Sequence, residues 1–375
     1  MAGQDTGRTE PRLGGLTAVA MSGGLDSSVV AHLLAQRGEP TVGLSMLLWD
    51  QLAAGAVEET PSNGRCCGAL DLGDARRVAQ QIGIPHYTLR MDEDFRKHVV
   101  DPFVDDYLAG RTPVPCTRCN TFVKFDLFLK KARELGAERM ATGHYARILE
   151  GPMGLELHRA AYLEKDQSYY LFELTQEQLA ASRFPLGELT KPEVRELARA
   201  AGLVVAEKGE SMEICFVSGT VREFVEREAG ARAAHVASTV VDTGGRELGA
   251  GEPYYRYTVG QRRGLGIATG ERRYVLRVVP EQNRIVVGGE DDLLAPGLVG
   301  ERLHWIGSTA MRATVRIRAH HTGVESTIRP LGDGRVEIDF DTPQRGVAPG
   351  QAAVFYDGSR VLGGCWIIEG TSSRL

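Results

Sequence analysis

The spacing of apolar residues changes along the chain, and each change marks an element. Leu16 to Met21 is an unbroken apolar run of strand length, and Ser22-Gly23-Gly24 interrupts it. From Leu25 the apolar positions fall at Leu25, Val29, Val30, Leu33 and Leu34, the spacing of one helix face, and that helix closes at Arg37-Gly38. Thr41 to Leu48 predicts a second buried strand. Asp50 to Gly68, rich in Gly, Glu and Pro, predicts a loop. Asp71 to Gly83 places Leu72, Ala75, Val78, Ala79 and Ile82 on one helical face, and His86–Leu89 and Arg139–Thr142 predict a third and a fourth strand. Strands alternating with helices in this way predict a parallel sheet with helices on both faces. Ligands of such sheets sit beyond the carboxyl ends of the strands. Ser22 to Ser27, Met46 and Gly143-His144 fall at those ends and converge on one pocket.

The pattern then shifts. Lys191 to Ala201, with Thr190 as N-cap and Pro192 in the first turn, reads as a scaffold helix. Val221 to Arg227 predicts a short helix, and residues 244–270 are rich in Gly. From about Arg273 short alternating runs dominate (YVLRVV, RIVVG, ATVRIRAHH, STIRPL, RVEIDF, AAVFYD, VLGGCWII), several of them separated by Gly-Asp-Gly or Asp-Gly turns. They predict a small antiparallel barrel. The expected class is therefore α/β: a Rossmann-like parallel-sheet domain over residues 16–212, a small central domain over 213–277 and a C-terminal antiparallel β-barrel over 278–375, preceded by a loose tail over 1–15.

Composition narrows the function. At 375 residues the chain is long for one domain, and 42% apolar with 25% charged residues suits a soluble globular protein. A net charge of −5 excludes nucleic acid as a bulk electrostatic partner, so any RNA contact needs a local basic face. No apolar run reaches transmembrane length, and residues 1–15 lack an apolar signal core. Six cysteines without a small-domain framework suggest a reducing, cytoplasmic setting and thiols kept for chemistry.

Two stretches carry that chemistry. Between the first strand and its helix, Gly23 and Gly24 let the backbone approach a ligand, and Ser22, Asp26 and Ser27 add polar groups. The helix start offers unpaired N–H groups and the positive end of a dipole, so a phosphate is the natural guest. The P-loop and dinucleotide glycine patterns are both absent. The second stretch is Gly110 to Phe125, GRTPVPCTRCNTFVKF. Here Cys119-Asn120 predicts the start of a helix running to Leu135, where the helix end, Arg118 and Lys124 favour a thiolate. Cys116 and Cys119 form a C-x-x-C pair that zinc, redox and cluster sites all use. Cys215 stands alone in the apolar segment Ser211 to Phe216, as a buried inert cysteine would.

The order Ser22-Gly23-Gly24-Leu25-Asp26-Ser27 resembles the pyrophosphate loop of the N-type ATP pyrophosphatases, which grips the β and γ phosphates while the α phosphorus is attacked. GDARRVAQQIGIPHY, GRTP-x-P-xxx-CN-xxx-KF, ATGHYAR, KDQSYYLF, FPLGELTKPEVRELA, EICFV and YTVGQRRGLGI follow in order. Together they resemble the bacterial tRNA-specific 2-thiouridylase family from about residue 16 to 275, and more weakly through the β-rich tail.

The resemblance implies that ATP, with Mg2+, adenylates the 2-position oxygen of a wobble uridine in tRNA (Lys, Glu and Gln acceptors), and that sulfur replaces it. Cys119 matches the nucleophile and Cys215 the cysteine that carries the persulfide, loaded by a relay protein or a cysteine desulfurase. Ala20, Met21, Ser22, Gly23, Gly24, Leu25, Asp26, Ser27, Met46 and Gly143 would contact ATP. Val114, Pro115 and Cys116 would meet the target base, and Lys165, Asp166, Gln167, Arg318 and Ala319 the tRNA. The family often has an aromatic residue where Ala319 stands. Many members have Asn-Pro-Asp where this chain has Val114-Pro115-Cys116, so Cys116 replaces an acid/base aspartate. One alternative is that Cys116, Cys119 and Cys215 together hold a [4Fe–4S] cluster with one iron open for sulfide. Cys66, Cys67 and Cys365 receive no role.

The basic face expected is Tyr254 to Arg277, where Arg256, Arg262, Arg263, Arg272, Arg273 and Arg277 meet one acid, Glu271. Arg316-Ile317-Arg318 adds two arginines expected on one strand face. Two other classes use part of these features: another ATP-pyrophosphatase ligase would share the loop but not need Cys119 and Cys215, and a non-catalytic RNA-binding protein would need only the barrel.

Overall fold

The computed structural model describes residues 15–49, 69–209, 214–233, 235–267, 270–307 and 309–371. Four strands, β1 (Thr17–Ala20), β2 (Thr41–Leu47), β3 (His86–Arg90) and β4 (Arg139–Ala141), join a two-residue strand at Ser182–Arg183 in one parallel sheet. The order is β3-β2-β1-β4 and then Ser182–Arg183, with Ala20 opposite Leu44 and Val19 opposite Ala141. Every residue of β1 is buried, as expected of a strand covered on both faces. On one side α1 (Leu25–Gln36) packs on α2 (Ala69–Ile82) and on the helix Lys191–Ala200, through Val29, Val30, Leu34, Ala75, Val78, Val194 and Ala198. On the other, Ala18, Leu44, Met91, Phe95, Phe103, Phe125 and Phe128 form a second apolar cluster. The expected alternation of strand and helix is thus realised; the Asp50–Gly68 loop, with Cys66 and Cys67, lies outside the described residues.

The YVLRVV and RIVVG runs do not join the barrel. Tyr274–Val279 and Arg284–Gly288 pair with each other and then with Thr239–Val241 and Glu247–Ala250, around Val240, Tyr257, Leu265, Val275, Ile285 and Val287. Alternation reports a half-buried strand but not its partner, and a three-residue partner such as Thr239–Val241 is too short to show a period.

Six later strands close on themselves, because Leu294–Trp305 pairs with both Arg335–Arg345 and Arg360–Gly370. Gly332-Asp333-Gly334 supplies one hairpin turn, with Asp333 at φ 49° and Gly334 at φ 72°. A hairpin of Ala146–Gly151 and Gly154–Arg159 extends this sheet from the N-terminal half, with Arg360 opposite His158 and Val361 opposite Leu157. The Arg360–Glu156 ion pair, 2.8 Å, reinforces the seam. Barrel and parallel-sheet region therefore share backbone hydrogen bonds as well as side-chain contacts. No helix among the described residues is long and apolar enough to cross a membrane.

Candidate active site

The loop after β1 is shaped by crowding. Gly23 has φ 73°, and a Cβ there would lie 1.9 Å from the Asp71 carbonyl oxygen. Only glycine fits. Gly24 is the N-cap of α1 and gives no side-chain cap, so the first-turn N–H groups face the loop with the dipole behind them. Ser27 Oγ accepts the Ser22 N–H at 3.2 Å and donates to the Gly24 carbonyl at 3.2 Å, which fixes the curl. A Cβ on Gly143 would sit 2.9 Å from Asp26 Cβ and 3.0 Å from the Ser27 nitrogen. The end of β4 thus reaches the loop because residue 143 has no side chain. Ala20, Met21 and Met46 close the strand ends beneath, all buried, and Ser45 Oγ donates to the Met21 carbonyl at 2.7 Å.

Several loop partners had no chemistry assigned to them from the sequence. Lys191 Nζ meets both Asp26 carboxylate oxygens at 2.7 and 2.8 Å, and Tyr145 donates its hydroxyl to Asp26 at 2.9 Å. Lys208 Nζ donates to the Gly23 carbonyl at 3.0 Å, Asp71 at 2.5 Å and Asp74 at 2.6 Å. Burial opposes the Lys208 charge, but the two carboxylates win and raise its pKa. Burial likewise opposes the Asp74 charge, and hydrogen bonds from Lys208 and Arg77 hold its pKa below the usual carboxylate range. Lys191 left one trace in the sequence: it is the first residue of its helix, where the dipole disfavours a cation, so it needs an acid nearby. Thr190 is the N-cap, as expected, and it closes a capping box with Glu193.

The thiol helix starts earlier than the sequence suggested. It opens at Pro115, with Val114 as N-cap, and runs through Arg118 into wider π-type turns over Cys119–Phe128 and an α-helical end at Leu129–Glu134. Proline at the first position is pre-set for a helix, which explains the four-residue difference. The thiol in the first turn is therefore Cys116, and Cys119 lies a turn further in. Cys116 is exposed and Cys119 buried; Cys215, half-buried, packs against the apolar cluster that includes Cys119. Ser211, Met212 and Glu213 lie outside the described residues. Beside Cys119, Asn120 donates to the Tyr170 carbonyl at 3.0 Å, while its Oδ1 and the Thr117 hydroxyl are buried with no hydrogen-bond partner. Burial and the adjacent Cys116 push the Tyr170 phenol up to about 12. Cys365 is buried in the barrel, and desolvation drives its thiol far up, as for a packing residue.

Among the described residues no three His, Cys, Asp or Glu side chains form a group that could hold a metal ion.

Gly143 leads directly to His144, whose ring packs on Phe125 of the thiol helix at 5.7 Å and on Phe184 at 5.8 Å. Burial and the Lys124 charge hold His144 well below the usual imidazole range, so it is neutral, and it bonds Thr142 Oγ1 at 2.7 Å. The step from the loop to the thiol helix is two residues long.

The residues expected at RNA divide sharply. Val114 and Pro115 are buried while Cys116 reaches solvent. Asp166 is not a surface group: its side chain is 2% exposed and accepts from Arg159, Arg316, the Ala160 N–H, and the Ser168 N–H and hydroxyl. Gln167 exchanges two bonds with Tyr145, accepting its N–H at 3.0 Å and donating its own N–H to the Tyr145 carbonyl at 2.9 Å. Lys165 is half-buried. Arg316 and Arg318 do not share a strand face, because the strand Arg312–Arg316 ends between them. Arg316 is buried against Asp166, the Ala319 carbonyl and the Tyr356 ring, whereas Arg318 is exposed. Ala319 packs against the core. Of the arginine cluster, Arg256 is tied to Glu226 and Glu252, while Arg262 and Arg263 are exposed.

A family model described as the tRNA methyl transferase HUP domain matches residues 16–219. One described as the tRNA methyl transferase PRC-barrel domain matches 222–289, and one described as the aminomethyltransferase beta-barrel domain matches 296–367. The tRNA-specific 2-thiouridylase MnmA of Solibacter usitatus is 51% identical over 365 residues, spanning 93% of this chain and 98% of that protein. The protein of the same name in Geobacter metallireducens is 52% identical over 354 residues, spanning 93% of this chain and 95% of its own. With near-complete coverage in both directions, and the loop and both motif cysteines in place, the chain belongs to the tRNA-specific 2-thiouridylase MnmA family.

Proposed function

We propose that this protein uses ATP to replace the 2-position oxygen of the wobble uridine of tRNA with sulfur. The observation that carries the reading is the contact between two chemistries. A phosphate-shaped helix start meets, through Gly143 and His144, the helix that bears Cys119. A carbonyl oxygen is a poor leaving group and an adenylate a good one, while a persulfide is a strong nucleophile near neutral pH. Although two of the matching models carry the words methyl transferase, methyl transfer would not need a loop that grips a triphosphate.

The loop N–H groups hold the β and γ phosphates. The uracil 2-oxygen attacks the α phosphorus, the ring N3 proton departs, and pyrophosphate leaves with the electron pair. Asp26, whose side chain is 32% exposed at the loop, is the carboxylate that would hold the magnesium ion accompanying ATP, and the ion would neutralise phosphate charge. The outer sulfur of a Cys215 persulfide then attacks C2 and expels AMP. Cys119 thiolate attacks the inner sulfur, forms a disulfide with Cys215 and releases 2-thiouridine; an external thiol reductant restores both cysteines. Cys116 takes the place of the family's aspartate in proton transfer. It lies exposed in the first turn of the thiol helix. No step of this route passes through a [4Fe–4S] cluster.

The proposed acceptors are the tRNAs for Lys, Glu and Gln, and the sulfur donor is a relay protein or a cysteine desulfurase; family membership supports both. The test is incubation of the protein with ATP, unmodified tRNA and a persulfide donor. AMP, pyrophosphate and 2-thiouridine in equal amounts are expected, and tRNA-independent nucleotide release without thiouridine would overturn the reading.

A further inference from the structure

Glu173 is a buried carboxylate to which the reaction as derived gives no task. Its side chain is 8% exposed, and Phe172 and Leu174 on either side are buried too. Three donors from three elements converge on it. The Thr121 hydroxyl of the thiol helix donates at 2.8 Å, the Trp366 indole N–H of the strand Arg360–Gly370 at 2.8 Å, and Arg302 of the strand Leu294–Trp305 at 3.3 Å. The Arg302 guanidinium also lies 5.7 Å from the centre of the Trp366 ring. Arg302 holds φ 54°, a left-handed backbone rare for any residue but glycine, where the strand shifts register between Glu301 and His304. A Cβ on Gly364 would lie 2.6 Å from Phe172 Cδ2, so the barrel backbone comes this close because residue 364 is glycine. An apolar side chain would fill the same place with less desolvation, so stability does not account for the acid.

We propose that Glu173 is a positioning residue for sulfur transfer, which pins the thiol helix to the barrel at Thr121 so that the turn bearing Cys119 moves about a fixed point. This rests on the functional reading above and adds to it the group that sets where Cys119 stands. Thr121 is two residues beyond Cys119, and its hydroxyl shares one proton between the Glu173 carboxylate and the Thr117 carbonyl, 3.0 Å away. The bond to the carboxylate is the charge-assisted and shorter one. On the same turn the Thr117 hydroxyl and the Asn120 Oδ1 are buried with no partner. The helix is thus held at Thr121 and loosely bonded just before it. When the Cys119 thiolate attacks the inner sulfur, the Cys119–Cys215 bond forms and the bond to the uridine sulfur breaks. The electron pair stays on the uridine sulfur, and the ring N3 regains a proton. That displacement needs the attacking sulfur in line with the breaking bond, and a held pivot supplies the alignment. Adenylation at the phosphate loop makes no such demand on the thiol helix.

The experiment is a single turnover of the full chain with unmodified tRNA, ATP and a persulfide donor, reading pyrophosphate, 2-thiouridine and the Cys119–Cys215 disulfide. It compares wild type, Thr121→Val, Trp366→Phe and the double variant. Thr121→Val, which keeps the side-chain shape and removes only the hydroxyl, is expected to slow 2-thiouridine and disulfide formation at least tenfold and to leave pyrophosphate release within twofold. Trp366→Phe shifts the same two readouts in the same direction. The double variant falls no further than the slower single one, because both act through one carboxylate. Glu173→Gln, whose amide still accepts from the indole and donates to the Thr121 oxygen, recovers most of what Glu173→Ala loses; if Glu173→Ala does not fold, the Thr121 and Trp366 variants decide. Equal loss of pyrophosphate and 2-thiouridine would make Glu173 a structural residue and overturn the proposal. So would unchanged 2-thiouridine formation in Thr121→Val, or effects of the two single variants that multiply. Wild type that forms no 2-thiouridine at all would overturn the functional reading, and this proposal with it.

Discussion

The phosphate loop and the thiol helix sit on one domain and are finished to different degrees. Around the loop, Ser22, Asp26, Ser27, Lys191 and Lys208 all hold partners, and Gly23 and Gly143 let backbones approach where a Cβ would collide. Around Cys119, the Thr117 hydroxyl and the Asn120 Oδ1 are buried with no partner. Each such atom costs roughly 1–3 kcal/mol. Anion binding needs fixed donors before the ligand comes, because reorganising them would cost affinity. Sulfur transfer needs a segment that can accept a base and then bring two cysteines together, and an incomplete hydrogen-bond set suits a segment that rearranges.

The largest effects separate the two regions by chemistry. Cys119→Ala and Cys215→Ala should each abolish 2-thiouridine formation while leaving ATP affinity unchanged, measured by nucleoside mass spectrometry and titration. Gly23→Val should do the reverse, abolishing ATP binding. The side chain at φ 73° meets the Asp71 carbonyl, and a loss of about 1–3 kcal/mol in denaturant unfolding should accompany it. Asn120→Ala sharpens the contrast, since it removes one hydrogen bond and one orphan acceptor together. Stability should stay within ~1 kcal/mol of wild type, while thiolation falls.

Smaller effects follow at the periphery. Arg262→Ala with Arg263→Ala should weaken tRNA binding and lower the slope of log affinity against log salt by up to about 2, roughly 0.7–0.9 for each phosphate no longer neutralised. ATP affinity should not move. His144 joins the two regions as a neutral ring with its pKa held below the unfolded value. The unfolded chain then takes up a proton that the folded chain does not, so stability falls as pH drops below about 6.5, by at most ~1.4 kcal/mol per pH unit. Replacing His144 by Gln should flatten that part of the stability–pH curve.

Much of the loop was legible because it is local: strand, glycines and helix fall within 20 residues, Thr17 to Gln36, and a period of 3.6 announces α1. The sheet was legible for the same reason. The loop's partners were not, since Lys191, Lys208 and Tyr145 come from segments more than a hundred residues away. The thiol helix misled by four residues because a proline reads as a break before it reads as a first helical position. Asp166 and Arg316 misled differently: charge suggests surface, yet they bury each other between the barrel and the segment that leads to Tyr170. No local pattern distinguishes a charged residue paired inside from one presented outside.

The decisive measurement is a rapid-quench single turnover of Cys215→Ala beside wild type, with unmodified tRNA, ATP and a persulfide donor. Wild type should release pyrophosphate and form 2-thiouridine in sequence. The variant should release pyrophosphate at the wild-type rate and form no thiouridine. Thiouridine at the wild-type level in the variant, or no pyrophosphate from wild type, would contradict a design in which one region activates the base and the other delivers sulfur.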